Sequence, residues 1–339
     1  MGIIIKNGGF QTTVQDFGRP GYQRYGMAMS GAVDRSAYKM ANILVANNVY
    51  EAVLEAEMMG PTLEFTTETV IAITGADMSP KINNQPIDNY RAVRVQPGDK
   101  LSFGILKSGC RAYIAFNGGL DIKKVLGSRA TYTKAHLGGL EGRKLKAGDT
   151  LEFRLPFTVP NNLEKRFIEP VVYGSDITVR VLLGPQEDRF TQKGIETFLN
   201  ETYTVSPQFD RMGCRLDGPV IETVTDSNII SDGIAFGAIQ VPDSGKPIIM
   251  LSDRQTTGGY AKIGSVINAD IPMIAQAKAG DRIRFVLTDI ETAQDAFCAR
   301  RQANHEQRLK FDTLIPGNRI REFNVRIGDE EYRAMIEEL

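Results

Sequence analysis

One local pattern recurs three times and constrains the fold more than any other feature of the 339-residue chain. Gly98-Asp99-Lys100-Leu101-Ser102-Phe103 is echoed by Gly148-Asp149-Thr150-Leu151-Glu152-Phe153 and by Gly280-Asp281-Arg282-Ile283-Arg284-Phe285. Each copy sets a Gly-Asp turn before an alternating strand whose Leu or Ile and Phe fall on one face. Pro97, Ala147 and Ala279, which precede the copies, suit a tight connection. A turn that repeatedly opens a half-buried strand is the grammar of barrels and sandwiches.

Other strands read from short apolar runs that stop at turn residues. They cover 3–5, 70–74 before Gly75, 113–116 before Asn117-Gly118-Gly119, 177–183 before Gly184-Pro185, and 248–251 after Pro247. Helices are few. Asp34 is placed to cap one that carries Ala37, Met40, Ala41, Leu44 and Val45 on one face. Thr288 and Glu291 form a capping-box spacing for a second, with Ala293, Ala296 and Phe297 inward and an end near Phe311. A third is expected at 189–199 and a short terminal one at 330–339. Pro156, Pro160 and Pro170 mark a linker. The expected division is a β-rich domain at 1–160, a β-barrel domain at 170–290, and a C-terminal helix and tail at 291–339.

Hydrophobic residues make up 42% and charged residues 24%, as in ordinary globular chains, and the formal charge is −1. No basic stripe or aromatic-basic interleaving points to nucleic acid. The densest basic stretch, Arg300, Arg301, Arg308 and Lys310, reads as the solvated face of a helix rather than a phosphate site. No apolar run approaches a membrane span, and no signal peptide is visible at the N-terminus, so a cytoplasmic location is expected. The three cysteines, Cys110, Cys214 and Cys298, lack metal or redox spacing.

Chemistry-bearing motifs are sparse. The two histidines, His136 and His305, have no partner serine in a nucleophile elbow, and no cluster suggests a metal. A Walker-type loop is absent: Gly245-Lys246 is followed by Pro247, where Ser or Thr is required. Glu55-Ala56-Glu57-Met58-Met59 has no lysine for covalent biotin. The richest polar stretch, Ser252 to Tyr260, emerges from the end of an apolar strand. Arg254 offers a planar fork for carboxylate, carbamate or phosphate, and Gly258-Gly259 allow close backbone approach. A polar hairpin turn explains the same residues equally well. Asp210-Arg211 reads either as a second site group or as a surface ion pair. The glycines of the 15–22 segment fit a shaping role in a turn-rich loop.

Several long motifs together resemble a known family. Gln15-Asp16-Phe17-Gly18-Arg19-Pro20-Gly21-Tyr22 and Ser30-Gly31-Ala32-Val33-Asp34 open the likeness. Val125 to Tyr132, Leu183-Gly184-Pro185-Gln186, Asp210-Arg211-Met212-Gly213 and Asp253 to Tyr260 continue it to about residue 290. The chain thereby resembles the KipA-like biotin-dependent carboxyltransferases, also called allophanate hydrolase subunit 2-like. The resemblance implies a mainly β, cyclophilin-like barrel architecture with a few peripheral helices and two β-rich domains, and a KipI-like partner.

Stand-alone members look like the C subunit of bacterial 5-oxoprolinase. With the A and B subunits (B being the KipI-like one), ATP used by the complex drives 5-oxoproline to glutamate. Alternatives implied are a carboxyltransferase subunit of a urea carboxylase or allophanate-type system, and a regulatory antagonist of a KipI-like histidine kinase inhibitor. Little activity is expected of the chain alone. The resemblance locates the site at the Asp253 to Tyr260 motif, where Arg254, Gln255 and Tyr260 are expected to act catalytically. Thr256, Thr257, Gly258 and Gly259 are expected to bind a small amide or lactam, with Asp210 and Arg211 converging on them.

Overall fold

The computed structural model describes residues 2–312, and beyond them the backbone of Ile320–Ile327 and Glu330–Glu337. The three Gly-Asp turns are built alike. Gly98, Gly148 and Gly280 have φ of 91°, 91° and 92°, and a Cβ on any of them would meet nothing within 4 Å. Glycine is therefore needed there for the left-handed backbone, not for space. In each turn the aspartate accepts the backbone N–H three residues earlier: Gln96 to Asp99 at 2.7 Å, Lys146 to Asp149 at 2.8 Å, Lys278 to Asp281 at 2.9 Å. Leu101, Leu151 and Ile283 then enter the core.

The first two of these turns feed one six-stranded sheet, whose order is Thr150–Glu152, Gly2–Asn7, Thr62–Phe65, Lys100–Ser102, Lys81–Ile82 and Gln85–Pro86. It shares an apolar core with a five-stranded sheet ordered Gln11–Gln15, Val53–Glu57, Ser108–Phe116, Thr69–Asp77 and Ala92–Val95. The third turn starts Arg282–Leu287, one of seven strands in a closed barrel. Closure comes from its parallel pairing with Asp176–Leu183. The fold is mainly β. Inside the barrel Phe285 stacks on Phe198 at 4.5 Å, so helix α2 (Gln192–Asn200) anchors its one fully buried aromatic against the barrel's last strand.

Helix α1 (Arg35–Leu44) starts at Asp34, whose Oδ1 accepts from Ser36 N and Ala37 N at 3.0 and 2.9 Å. Ala37, Ala41, Leu44 and Val45 are buried, as the spacing requires. The sheets and the barrel are joined through the residue after short helix α3 (Ile271–Ala275). Gln276 Oε1 accepts the N–H groups of Cys110 and Arg111, while its Nε2 donates to Asp34 Oδ2 at 2.9 Å. Arg111 Nη1 donates to Ala275 O at 2.6 Å. Most polar groups at this buried seam are thus matched, as burial demands, with Arg111 Nε left without a partner among the described residues.

Two expectations need correction. Helix α4 (Ile290–Asp312) is capped by Asp289, which accepts Thr292 N at 2.7 Å, because Thr288 is still tied to the barrel through Val181 O. On α4 only Phe311 is buried; Phe297 is 47% exposed and does not point into a core. The terminal segment expected as a helix is instead a strand, Glu330–Glu337, paired antiparallel with Ile320–Ile327. Tyr332 and Ile336 favour a strand, and pairing outweighs the helix preference of the intervening Glu331, Arg333 and Met335. Residues 338–339 lie outside the described residues. Among the described residues no helix is long and apolar enough to cross a membrane.

Candidate functional site

The residues expected to form one site are split by the fold. Arg254 is buried just past strand Ile248–Met250. Its Nε donates to Ile234 O at 2.9 Å and its Nη1 to Leu251 O at 3.2 Å, and it has no ion pair among the described residues. Burial, and then the charge of Arg35, lower its pKa to about 10. Gln255, Thr257 and Tyr260 are exposed, and Thr256 gives its carbonyl to Ile234 N. Thr257–Tyr260 pairs with Asn228–Gly233 as a two-stranded ribbon. A Cβ on Gly258 would lie 2.7 Å from Ile234 Cδ1 and 2.9 Å from Gln240 Nε2, whereas one on Gly259 would make only ordinary contact, 3.5 Å from Ile229 O. Both atoms near Gly258 are the ends of flexible side chains that can move aside, so Gly258→Ala should change unfolding free energy by less than about 1 kcal/mol in urea titration. A larger loss would show that this glycine is needed for packing.

Asp210 and Arg211 go separate ways. Asp210 accepts from Met212 N and Gly213 N, closing a turn. Arg211 is buried: Nε and Nη2 reach Asp253 at 3.0 and 3.2 Å, Nη2 also reaches Gly31 O at 2.7 Å, and Nη1 meets Glu55. Burial opposes its charge, but Asp253 and Glu55 more than reverse this and hold it protonated. Glu55 in turn accepts Val33 N at 3.0 Å. Close by in the sequence motifs, Asp16 accepts from Gly18 N, Ser128 Oγ and Arg129 N, and Arg19 donates to Ala130 O. The 15–22, 30–34, 125–132, 210–213 and 252–254 stretches thus supply a largely buried polar scaffold, from which Phe17 and Val33 reach the wall of a hollow.

The hollow lies on the far side of Phe236, whose ring is 5.5 Å from the Arg254 guanidinium. A cavity of about 440 Å³ opens there between α1, α3 and α4. Arg35, the first residue of α1, lies 4.7 Å from the Phe17 ring and 4.9 Å from that of Phe236. Lys39, one turn on, is 5.7 Å from the rings of both Phe17 and Tyr50. Arg300, Arg301 and Arg308 complete the wall from α4, with exposed His305 at its edge. The basic stretch of α4 is indeed solvated, but these three arginines also face a hollow. No aspartate or glutamate is among the described residues that line it. Burial lowers the pKa of both Arg35 and Lys39, and the charges of Arg35 and Arg301 lower that of Lys39 further. Arg35 Nε and Arg300 Nη1 are buried with no hydrogen-bond partner among the described residues. Such a site can hold and polarise an anion and has no acid–base pair of its own.

Among the described residues no three His, Cys, Asp or Glu side chains gather as metal ligands. Burial pushes the Cys110 thiol up to about 12 and Cys214 also upward, leaving neither a ready nucleophile.

A model of the carboxyltransferase domain, subdomain A and B, matches residues 25–287. The chain belongs to this carboxyltransferase family. Its likeness to the 5-oxoprolinase C subunit of Escherichia coli is 36% identity over 314 residues, 92% of this chain and 97% of that protein. Urea amidolyase of Lachancea kluyveri is 32% identical across 92% of this chain, which spans only 18% of that enzyme. Among solved structures, the K. lactis urea amidolyase superposes with a TM-score of 0.83 at 32% identity, over 90% of this chain and 20% of that one. The K. lactis urea carboxylase gives 0.84 at 29% identity, over 99% and 32%. This carboxyltransferase-family chain thus carries Phe17 outside the matched span and Arg35, Lys39 and Phe236 within it, while the α4 arginines follow it.

Proposed function

We propose that this chain acts as the C subunit of an ATP-dependent 5-oxoprolinase, opening 5-oxoproline to glutamate together with A and B subunits. The observation that carries the reading is the 36% identity to the E. coli C subunit over 314 residues, above the 32% to the L. kluyveri urea amidolyase. The geometry is compatible with the chemistry. A lactam is a poor electrophile, and its activation by ATP creates negative charge beside a carboxylate the substrate already bears. Arg35, Lys39 and the α4 arginines form a fixed cationic wall for such a species, which needs no reorganisation as charge develops. ATP turnover is assigned to the assembly as a whole. A second reading, transfer of a carboxyl group to an amide, is favoured by the superposition on urea carboxylase.

The purified chain, mixed with its partner subunits, ATP and 5-oxoproline, is expected to yield glutamate. A well-formed complex that makes none contradicts the first reading. Carboxylation of urea by a carboxybiotin donor in the same mixture would support the second.

A further inference from the structure

The α1–α4 cavity is more cationic than a single carboxylate requires. Five basic side chains line it, Arg35, Lys39, Arg300, Arg301 and Arg308, and no described carboxylate does. Two nearby acids are already engaged. Asp312 pairs with Arg308 at 3.4 Å and with Arg166 at 2.7 Å. Asp34, which feels the charge of Arg300, has its oxygens occupied by Ser36 N, Ala37 N, Gln276 and Tyr173. One negative charge entering this hollow would leave most of the cations without a counter-charge, an unfavourable arrangement in a partly desolvated site.

Two of the lining rings are already taken by cations. The Phe17 ring contacts both Arg35 and Lys39, and the Phe236 ring both Arg35 and Arg254. These rings hold the cations in place, a contact that is stronger where water is excluded. The half-exposed Phe297 ring remains for the organic part of a ligand, and the cations meet its charged portion. Guanidinium forks match phosphate oxygens two at a time, and four of the five groups are guanidinium. The volume of about 440 Å³ also exceeds what a lone carboxylate fills and lies in the range of organic ligands.

We propose that the cavity between α1 and α4 is a binding site for a phosphate-bearing, multiply charged anion. The proposal deepens the reading above by naming the ligand class. It rests on that reading only for the cavity's part in turnover, because the binding itself is a property of this chain alone. The phosphate can belong to an inorganic ion or to an organic phosphate, and the test separates the two.

The full chain is titrated by calorimetry with pyrophosphate, with ATP free of magnesium, and with acetate, all at one fixed ionic strength. Pyrophosphate and ATP are expected to bind and acetate is not. Equal affinity for the two phosphates assigns recognition to the phosphates alone, and tighter ATP binding assigns it to the organic phosphate; both support the site. Arg301 is exposed, so Arg301→Gln should fold normally and weaken phosphate binding by about tenfold, the loss of a charge-assisted contact. Arg215→Gln, outside the cavity, serves as the charge-matched control and should bind as the parent does. Binding of acetate as strong as that of pyrophosphate overturns the proposal. So does absence of binding, or an equal loss in both variants. Because no partner and no glutamate are involved, failure here is distinct from failure of the oxoprolinase reading.

Discussion

Arg211→Met is expected to destabilise the folded chain by about 3–5 kcal/mol, because it leaves two buried carboxylates without their cation. Asp253 follows a barrel strand and Glu55 lies on strand Val53–Glu57 of the five-stranded sheet. The guanidinium that touches both, and Gly31 O besides, is 6% exposed. Methionine fills much of the same volume, so little of the effect comes from a cavity. What remains is charge without a partner at the junction of two β-structures. Arg282→Met is the contrasting case. Its pair with Asp176 is also short, at 2.6 Å, but the two side chains are 62% and 69% exposed. Solvent screens such a pair to within about 1 kcal/mol. Urea unfolding of both variants decides the matter: equal losses would show that burial does not set the worth of the Arg211 network.

Much of the fold was legible where the reason for a residue is local. A Gly-Asp turn needs a left-handed glycine and an aspartate that reaches back three residues, and both requirements sit in four consecutive letters. The same holds for Asp34, whose oxygen must find two N–H groups in the first turn of α1. Legibility failed where pairing overrode local preference, as in Glu330–Glu337, which is a strand because Ile320–Ile327 lies beside it. The motifs identified the family, and the family model bears that out over residues 25–287.

The candidate site was harder to read for a topological reason. Arg254 to Tyr260 are neighbours in sequence, yet a strand sends alternate side chains to opposite faces, and this one leaves the barrel as an exposed ribbon. The cationic hollow draws on Phe17, Arg35, Lys39 and Phe236, with the α4 arginines more than 260 residues away from Arg35. A partial signal was present. Arg35 and Lys39 are spaced by four, and Arg301, His305 and Arg308 by four and three, so each set lies on one helix face. Nothing local says that the two faces meet, since only the three-dimensional packing of α4 across α1 brings them together.

If the protein works on its anionic substrate in this hollow, Arg35 is the residue that should show it. Its guanidinium lies 4.7 and 4.9 Å from two rings, bonds Met29 Sδ alone among the described residues, and leaves its Nε unpartnered there, so replacing it removes little that holds the fold together. Burial already lowers its pKa, which means that its charge is maintained at some expense to stability. Arg35→Met should therefore assemble and melt much like the parent. Its initial rate of glutamate formation in the reconstituted complex should fall by about 100- to 1000-fold, the usual effect of removing one fixed donor to a developing anion. A parental rate from the correctly assembled variant would contradict the account.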